Sequence, residues 1–141
     1  EELLPLRMAV LRDGTPSQDP TYKQDDFPGC VHLGIYEGEE LIACSSWIPQ
    51  AWPLDETLPA IQLKGMAVTK RMQGSGIGAE LLNAGVRHCK EEGAHYIWAR
   101  ARDSALNFYA RNGFDVFGEQ FVDEATGMSH HLVMKVVTRQ S

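Results

Sequence analysis

The chain has 141 residues, with 13 Lys and Arg against 19 Asp and Glu, a formal net charge of −6 and 43% hydrophobic residues. That size and apolar share suit a single domain with one core, residues 1–141, and exclude disorder and collagen-like repetition. No apolar run reaches the roughly 20 residues of a membrane span, because Lys64, Gly65, Lys70 and Glu80 interrupt the most hydrophobic stretches, and an acidic average disfavours nucleic acid.

Leu3, Leu4, Met8 and Leu11 form a helical stripe across Glu2 to Arg12, with Pro5 in the first turn. Asp13 to Gly29, rich in Gly, Pro and polar residues, reads as a long loop. Cys30 to Tyr36 and Leu41 to Trp47 read as a hairpin turning at Gly38, and Pro49 to Pro59, carrying Trp52, as a second loop. Ile61 to Val68 is a third predicted strand. A helix from Gly76 to Glu92 follows, with Ile77, Leu81, Leu82, Val86 and Cys89 on one face and Gly93 as its stop. His95 to Ala101 is a strand, and Asp103 is the expected N-cap of a helix running to Asn112 and ended by Gly113. Phe114 to Val122 and His130 to Val137 are the closing strands, around a turn near Thr126-Gly127. The expected fold is mixed α/β. Its one strand-helix-strand unit, Ile61 to Ala101, pairs in parallel through a right-handed crossover, between antiparallel hairpins.

Cys30, Cys44 and Cys89 are odd in number and widely spaced, so neither a disulfide framework nor a zinc knuckle is indicated and a reducing intracellular setting is expected. The sequence starts at Glu1 with neither Met nor an apolar leader, and residues upstream are expected to have been trimmed or to be missing. Charge is segregated along the chain. Residues 1–60 hold 3 basic and 11 acidic groups, residues 61–102 hold 7 and 3, and residues 103–141 hold 3 and 5. A basic island in an acidic chain suggests a site for a compact anion.

The island contains the stretch Gln73-Gly74-Ser75-Gly76-Ile77-Gly78-Ala79, between a predicted strand and a predicted helix. Glycines let a bulky ligand approach the backbone, and the free amides of a helix start suit a pyrophosphate. Lys70 and Arg71 add charge at the rim. Gly74-x-Gly76-x-x-Ala79 also fits a dinucleotide fingerprint. That reading wants an acidic residue about 20 positions on, where this chain has Arg100 and Arg102, and it leaves NADP or another nucleotide as an alternative ligand.

From Ile61 to Met134 the chain resembles the GNAT superfamily of N-acetyltransferases. Their pyrophosphate loop reads Gln or Arg, two residues, Gly, one residue, Gly or Ala, as Gln73 to Gly78 does. A second family element is found as Ala105, Phe108-Tyr109 and Gly113-Phe114. The resemblance implies a mostly antiparallel sheet whose parallel pair splays at the cofactor site, flanked by helices, with the family's first strand expected to be missing upstream of Leu3. It implies acetyl transfer from acetyl-CoA to an amine, small-molecule or peptide, without a metal. Met66, Ala67 and Val68 would meet the pantetheine arm and Gln73 to Ala79 the pyrophosphate, with Arg71, Arg102 and Phe108 beside the cofactor. Tyr109 takes the place of the acid that protonates the leaving thiolate, which a phenol can do; a packed core aromatic is the plain alternative.

Two departures stand out. Arg102 occupies a place where many relatives carry Asn. Ile61-Gln62-Leu63-Lys64 carries no carboxylate where many carry a Glu that deprotonates the amine. The base must then lie elsewhere, or solvent suffices. His131 is a candidate, because Gly127, His131 and Met134 match the ending of a subset of small bacterial members, and His130 and His131 alternate in face so that at most one sees the site. Glu37 to Glu40, Glu119, Asp123, Glu124, Trp47 and Trp52 could shape an acceptor pocket, whereas Trp98 and Cys89 are expected to be buried. The expectation is an acetyl-CoA-dependent N-acetyltransferase of a bacterial cytoplasm, binding neither membrane nor nucleic acid, with a homodimer as an assembly the resemblance allows. A non-catalytic CoA-binding sensor or partner-binding module is the rival of another class.

Overall fold

The computed structural model describes residues 2–11, 22–123 and 126–137. Helix α1 spans Leu4–Leu11, β1 Val31–Glu37, β2 Glu40–Pro49, β3 Ala60–Val68 and α2 Ile77–Glu91. They are followed by β4 Tyr96–Arg102, α3 Leu106–Arg111, β5 Asp115–Val122 and β6 Ser129–Val136. The six strands form one sheet in the order β1-β2-β3-β4-β6-β5. β3 and β4 are parallel and the four other neighbouring pairs antiparallel. This is the mixed α/β class expected, in the expected order. It also lacks the run of parallel neighbours that a doubly wound dinucleotide fold requires.

The inner strands β2, β3, β4 and β6 bury residues on both faces of the sheet, while the edge strands β1 and β5 bury none. On one face, α2 lays Leu82, Val86 and Cys89 on Trp47, Leu63 and Ala99, in a core that α3 extends with Tyr109. Both helices end as their glycines suggest. Gly93 N–H donates to Lys90 O and Ala94 N–H to Cys89 O after α2, and Gly113 N–H to Ala110 O and Phe114 N–H to Tyr109 O after α3, which is the Schellman pattern in each case. On the opposite face Leu6 of α1 packs with Cys44 and Ala67. None of the described helices is long and apolar enough to cross a membrane.

Three local expectations are corrected. Trp52 does not shape an entrance: it is buried against Trp98 and Phe117, at ring separations of 5.7 and 5.6 Å, because three large aromatic faces find no better refuge from water. Trp47 is fully buried under α2, with its indole N–H on the Ser45 hydroxyl at 2.8 Å. Asp103 does not cap a helix. It opens a 3-10 turn, Asp103–Ala105, ahead of α3, which has no side-chain cap, and its carboxylate is engaged elsewhere.

Candidate active site

β3 and β4 pair only over Ala60–Gln62 and Tyr96–Trp98, yet β3 continues to Val68 and β4 to Arg102. Beyond Gln62 and Trp98 the two strands part, leaving a cleft in the middle of the sheet. Met66, Ala67 and Val68 lie on the parted end of β3. The strand is bulged there, since its register with β2 shifts between Lys64 opposite Ser46 and Ala67 opposite Cys44. Gly65 makes this bulge at φ +64°. A Cβ there would stand 3.0 Å from Arg7 Nε and 3.1 Å from the Tyr22 ring, so glycine is required by both conformation and space.

At the mouth of the cleft the chain turns from β3 into α2. Lys70–Met72 form a 3-10 turn, the Gln73 side-chain amide donates to Val68 O at 2.9 Å, and the Ser75 hydroxyl donates to Met72 O. Gly76 stands at the N-cap of α2 with φ +91° and no side chain to cap the helix. Glu80 N–H closes the first helical bond onto Gly76 O at 3.1 Å, so the amides of Ile77, Gly78 and Ala79 precede any helical acceptor. Nothing lies within 4 Å of where a Cβ would project from Gly74 or Gly76. The space above the loop is therefore open, and the helix start offers amides and dipole to an anion. Phe108 of α3 closes the inner side: its ring would touch a Cβ on Gly78 at 3.3 Å, which pins α3 to the first turn of α2.

Tyr109 is buried, edge-on to Phe108 and Phe114 with ring centroids 5.3 Å from each. Burial raises its phenol above the ordinary value, and Tyr22 adds to the shift, so the hydroxyl keeps its proton at neutral pH. Cys89 is likewise buried, its thiol pushed up to about 12, which removes it as a nucleophile.

The remaining candidates divide. Arg71 stands exposed at the loop rim and bonds Glu37 and Glu40 of the β1–β2 hairpin at 2.9 and 2.8 Å, which ties those two acidic residues to the loop. Arg102 donates to the carbonyl of Leu11 at the end of α1. His131 lies opposite Ala101 in the β4–β6 ladder and His130 opposite Arg102, so the two histidines do face opposite sides of the sheet. His130 stacks on Phe121, and His131 Nδ1 lies 2.7 Å from Asp103 Oδ1. Asp123 pairs with Arg100 at 3.2 Å, and Glu124 lies outside the described residues. Among the described residues no group of three or more His, Cys, Asp or Glu side chains could hold a metal ion.

One feature of the site escaped the sequence. Arg7, on the buried side of α1, makes two bonds to the Asp25 carboxylate at 2.9 and 3.0 Å and a third to the Ser46 hydroxyl at 2.8 Å. Tyr22, held by its N–H on Asp25, lies between the Arg7 guanidinium and the Lys64 amine, 4.5 and 4.3 Å from its ring centre. Burial works to raise Asp25, but its bonds to Arg7 and to the Tyr22 amide outweigh that and hold it below the usual carboxylate range. The available signal was an arginine beside Leu6 in a helix otherwise read by its apolar stripe.

A mixed sheet opened at its parallel pair, with an uncapped glycine-led helix start at the opening, leaves a cleft whose mouth presents free amides suited to an anionic group. The chain belongs to the acetyltransferase (GNAT) family, whose sequence model matches residues 2–114. It is 30% identical over 141 residues, all of this chain and 93% of the relative, to YitI of Bacillus subtilis strain 168, described as an uncharacterized N-acetyltransferase. Its fold is similar to that of Escherichia coli ElaA, with a TM-score of 0.79 and 21% identity over 95% of this chain and 87% of that one. It is also similar to an aminoglycoside 6'-N-acetyltransferase complexed with coenzyme A, with a TM-score of 0.74 and 13% identity over 99% and 91% of the two chains.

Proposed function

We propose that this protein transfers an acetyl group from acetyl-CoA to a primary amine, small-molecule or peptide, by direct attack of the amine within a ternary complex. The observation that carries the reading is the parting of β3 from β4 beside the open helix start at Gly76. The residues fit such a donor. The loop amides of Gly74 and of Gly76 to Ala79 would hold the pyrophosphate, with Ser75 N–H spent on Met72 O at 3.2 Å, Gln73 and Ser75 shaping the turn by their side-chain bonds and Phe108 backing it. Met66, Ala67 and Val68 would offer backbone groups to the pantetheine arm, since β4 does not pair with them. Arg71 and Arg102 would flank the donor from the rim and from the end of β4.

Tyr109 would donate its proton to the departing thiolate. A phenol whose burial keeps it neutral is the right form for that task. Because the scissile thioester is already activated, orientation of the amine in the cleft and protonation of sulfur suffice without a covalent enzyme intermediate. His131 would take the proton from the amine, in place of the carboxylate that β3 lacks.

The test combines thermal shift with a panel of amines assayed for release of CoA thiol. Acetyl-CoA is expected to raise the melting temperature well above the effect of equimolar NADPH, and at least one primary amine to release CoA in step with its own acetylation. Stabilisation by NADPH in preference to acetyl-CoA would overturn the donor. Strong binding of acetyl-CoA with no turnover across the panel would overturn catalysis in favour of a sensor.

A further inference from the structure

We propose that Asp103 is a positioning residue that fixes the tautomer and orientation of His131, so that His131 Nε2 receives the proton of the incoming ammonium group. The proposal rests on the acetyl-transfer reading above.

Asp103 begins the turn that leads from β4 into α3, and His131 begins the inner part of β6 one strand away. Antiparallel partners share a face, so His131 stands with Ala101 and Val133 on the side of the sheet covered by α2 and α3, the side of Tyr109. Asp103 Oδ1 lies 2.7 Å from His131 Nδ1, and its Oδ2 accepts the Gln120 side-chain amide at 3.0 Å. Both carboxylate oxygens are thus engaged, one from β6 and one from β5, and the carboxylate cannot rotate away without breaking a bond. An ionised carboxylate only accepts hydrogen bonds, so the neutral imidazole must carry its proton on Nδ1 and present the lone pair on Nε2. His131 and Asp103 keep 21% and 34% of their side-chain surface exposed, which lets a proton reach the ring and leave it.

Among the described residues, Tyr109, Cys89 and Lys135 are titratable side chains on the same face. Tyr109 is the proposed acid, Cys89 is buried on the inner side of α2, and the Lys135 amine donates to the Asn112 carbonyl at 2.9 Å. Arg100, Arg102 and His130 lie on the opposite face. The proton balance closes. His131 Nε2 takes one proton from the ammonium and later releases it to solvent. The nitrogen lone pair forms the new N–C bond, the C–S bond breaks with its pair on sulfur, and Tyr109 protonates that sulfur. The second proton lost by nitrogen restores Tyr109.

Two measurements test this. Long-range proton–nitrogen NMR of the neutral His131 ring is expected to show the Nδ1–H tautomer, and Asp103→Ala to shift it toward Nε2–H; an Nε2–H ring in the unaltered protein would overturn the proposal. With the best amine of the panel, Asp103→Ala and His131→Gln are each expected to lower kcat/KM for the amine by about 10²-fold with the acetyl-CoA Kd unchanged. The loss should shrink as pH approaches the amine's own pKa. The double variant should lose no more than either single one, as for groups acting as a unit, and Asp103→Glu should recover part of the rate. Activity of Asp103→Ala within twofold of the original, or additive losses in the double variant, would overturn it. The NMR reading needs no turnover, so failure of the acetyl-transfer reading and failure of this one are distinguishable.

Discussion

Substituting Gly85 with Ala separates a rule of helices from a fact of this packing. Gly85 lies within α2, where Gly→Ala ordinarily stabilises by about 1 kcal/mol because alanine loses less backbone entropy and is the better helix former. Here the Trp47 indole lies flat against the helix at that point. A Cβ on Gly85 would stand 1.8 Å from Trp47 Cζ2, 2.2 Å from Cε2 and 2.3 Å from Cη2, distances that no non-bonded pair of carbon atoms tolerates. Trp47 cannot retreat, because it is fully buried between β2 and α2 and its N–H is bonded to Ser45. Overpacking of this kind costs about 3 kcal/mol at the upper end of its usual range. Set against the helix gain, the net loss is about 2 kcal/mol, or a fall of about 6–8 °C in Tm for a chain of this size. Thermal unfolding followed by circular dichroism reads it directly. In a Trp47→Phe background the smaller ring relieves the clash, and the same Gly85→Ala change is expected to become neutral or stabilising, a coupling that a double-mutant cycle isolates. A Tm that stays level or rises for Gly85→Ala alone would refute the packing argument, because helix propensity would then outweigh the contact.

Arg7→Met is expected to destabilise the fold by about 3 kcal/mol in chemical denaturation near pH 7, since it leaves the Asp25 carboxylate without its guanidinium. Asp25 is held below its unfolded pKa, so its contribution is present above about pH 4 and is lost as pH falls further; that acid limb should flatten in Arg7→Met, and an unchanged limb would contradict the assignment. Gly76→Trp forces a bulky residue into φ +91° and fills the open space over the loop. Losing about two charge-assisted amide bonds, about 3 kcal/mol, it should weaken acetyl-CoA binding by about 150-fold in calorimetry, and unchanged affinity would make the loop a turn and nothing more. Tyr109→Phe should lower kcat by about 10²-fold with little change in acetyl-CoA affinity, and full activity would return Tyr109 to the role of a packed aromatic.

What was legible in the sequence was what is local in the chain. The loop from Gln73 to Ala79 carries its own conformational signal, because a residue at φ +91° ahead of a helix must be glycine, and the stops at Gly93 and Gly113 declare themselves by the same chemistry. The apolar stripe of α2 and the β-rich runs likewise place their own elements. The features that escaped are made by residues far apart. Arg7 and Asp25 are 18 positions apart, and Asp103 and His131 28; no pattern in either neighbourhood announces the other. Asp103 shows the cost of local reading most clearly. An aspartate just ahead of a predicted helix reads as its N-cap, yet once the sheet is assembled the imidazole and the Gln120 amide are the partners it takes. Trp52 erred in the same direction, since its loop position said nothing of the two aromatic rings waiting for it across the fold.

The same distinction revises how charge should be understood. Counted along the chain, the acidic first 60 residues and the basic 42 that follow look like opposed regions, one for an amine and one for a phosphate. In the folded protein the β1–β2 hairpin brings Glu37 and Glu40 onto Arg71, so part of that acidic excess lies beside the loop and is joined to its rim. Such exposed pairs contribute little to stability, but they hold the Arg71 guanidinium against two carboxylates, and a phosphate must compete for it. An anion bound at this loop, as proposed, would therefore be held first by backbone, through the amides of Ile77, Gly78 and Ala79 and the dipole of α2, which no side chain caps. Backbone amides keep their place whatever the surface charges do. An acidic protein can on that basis hold a polyanionic donor, and the sign of the net charge is a poor guide to the site.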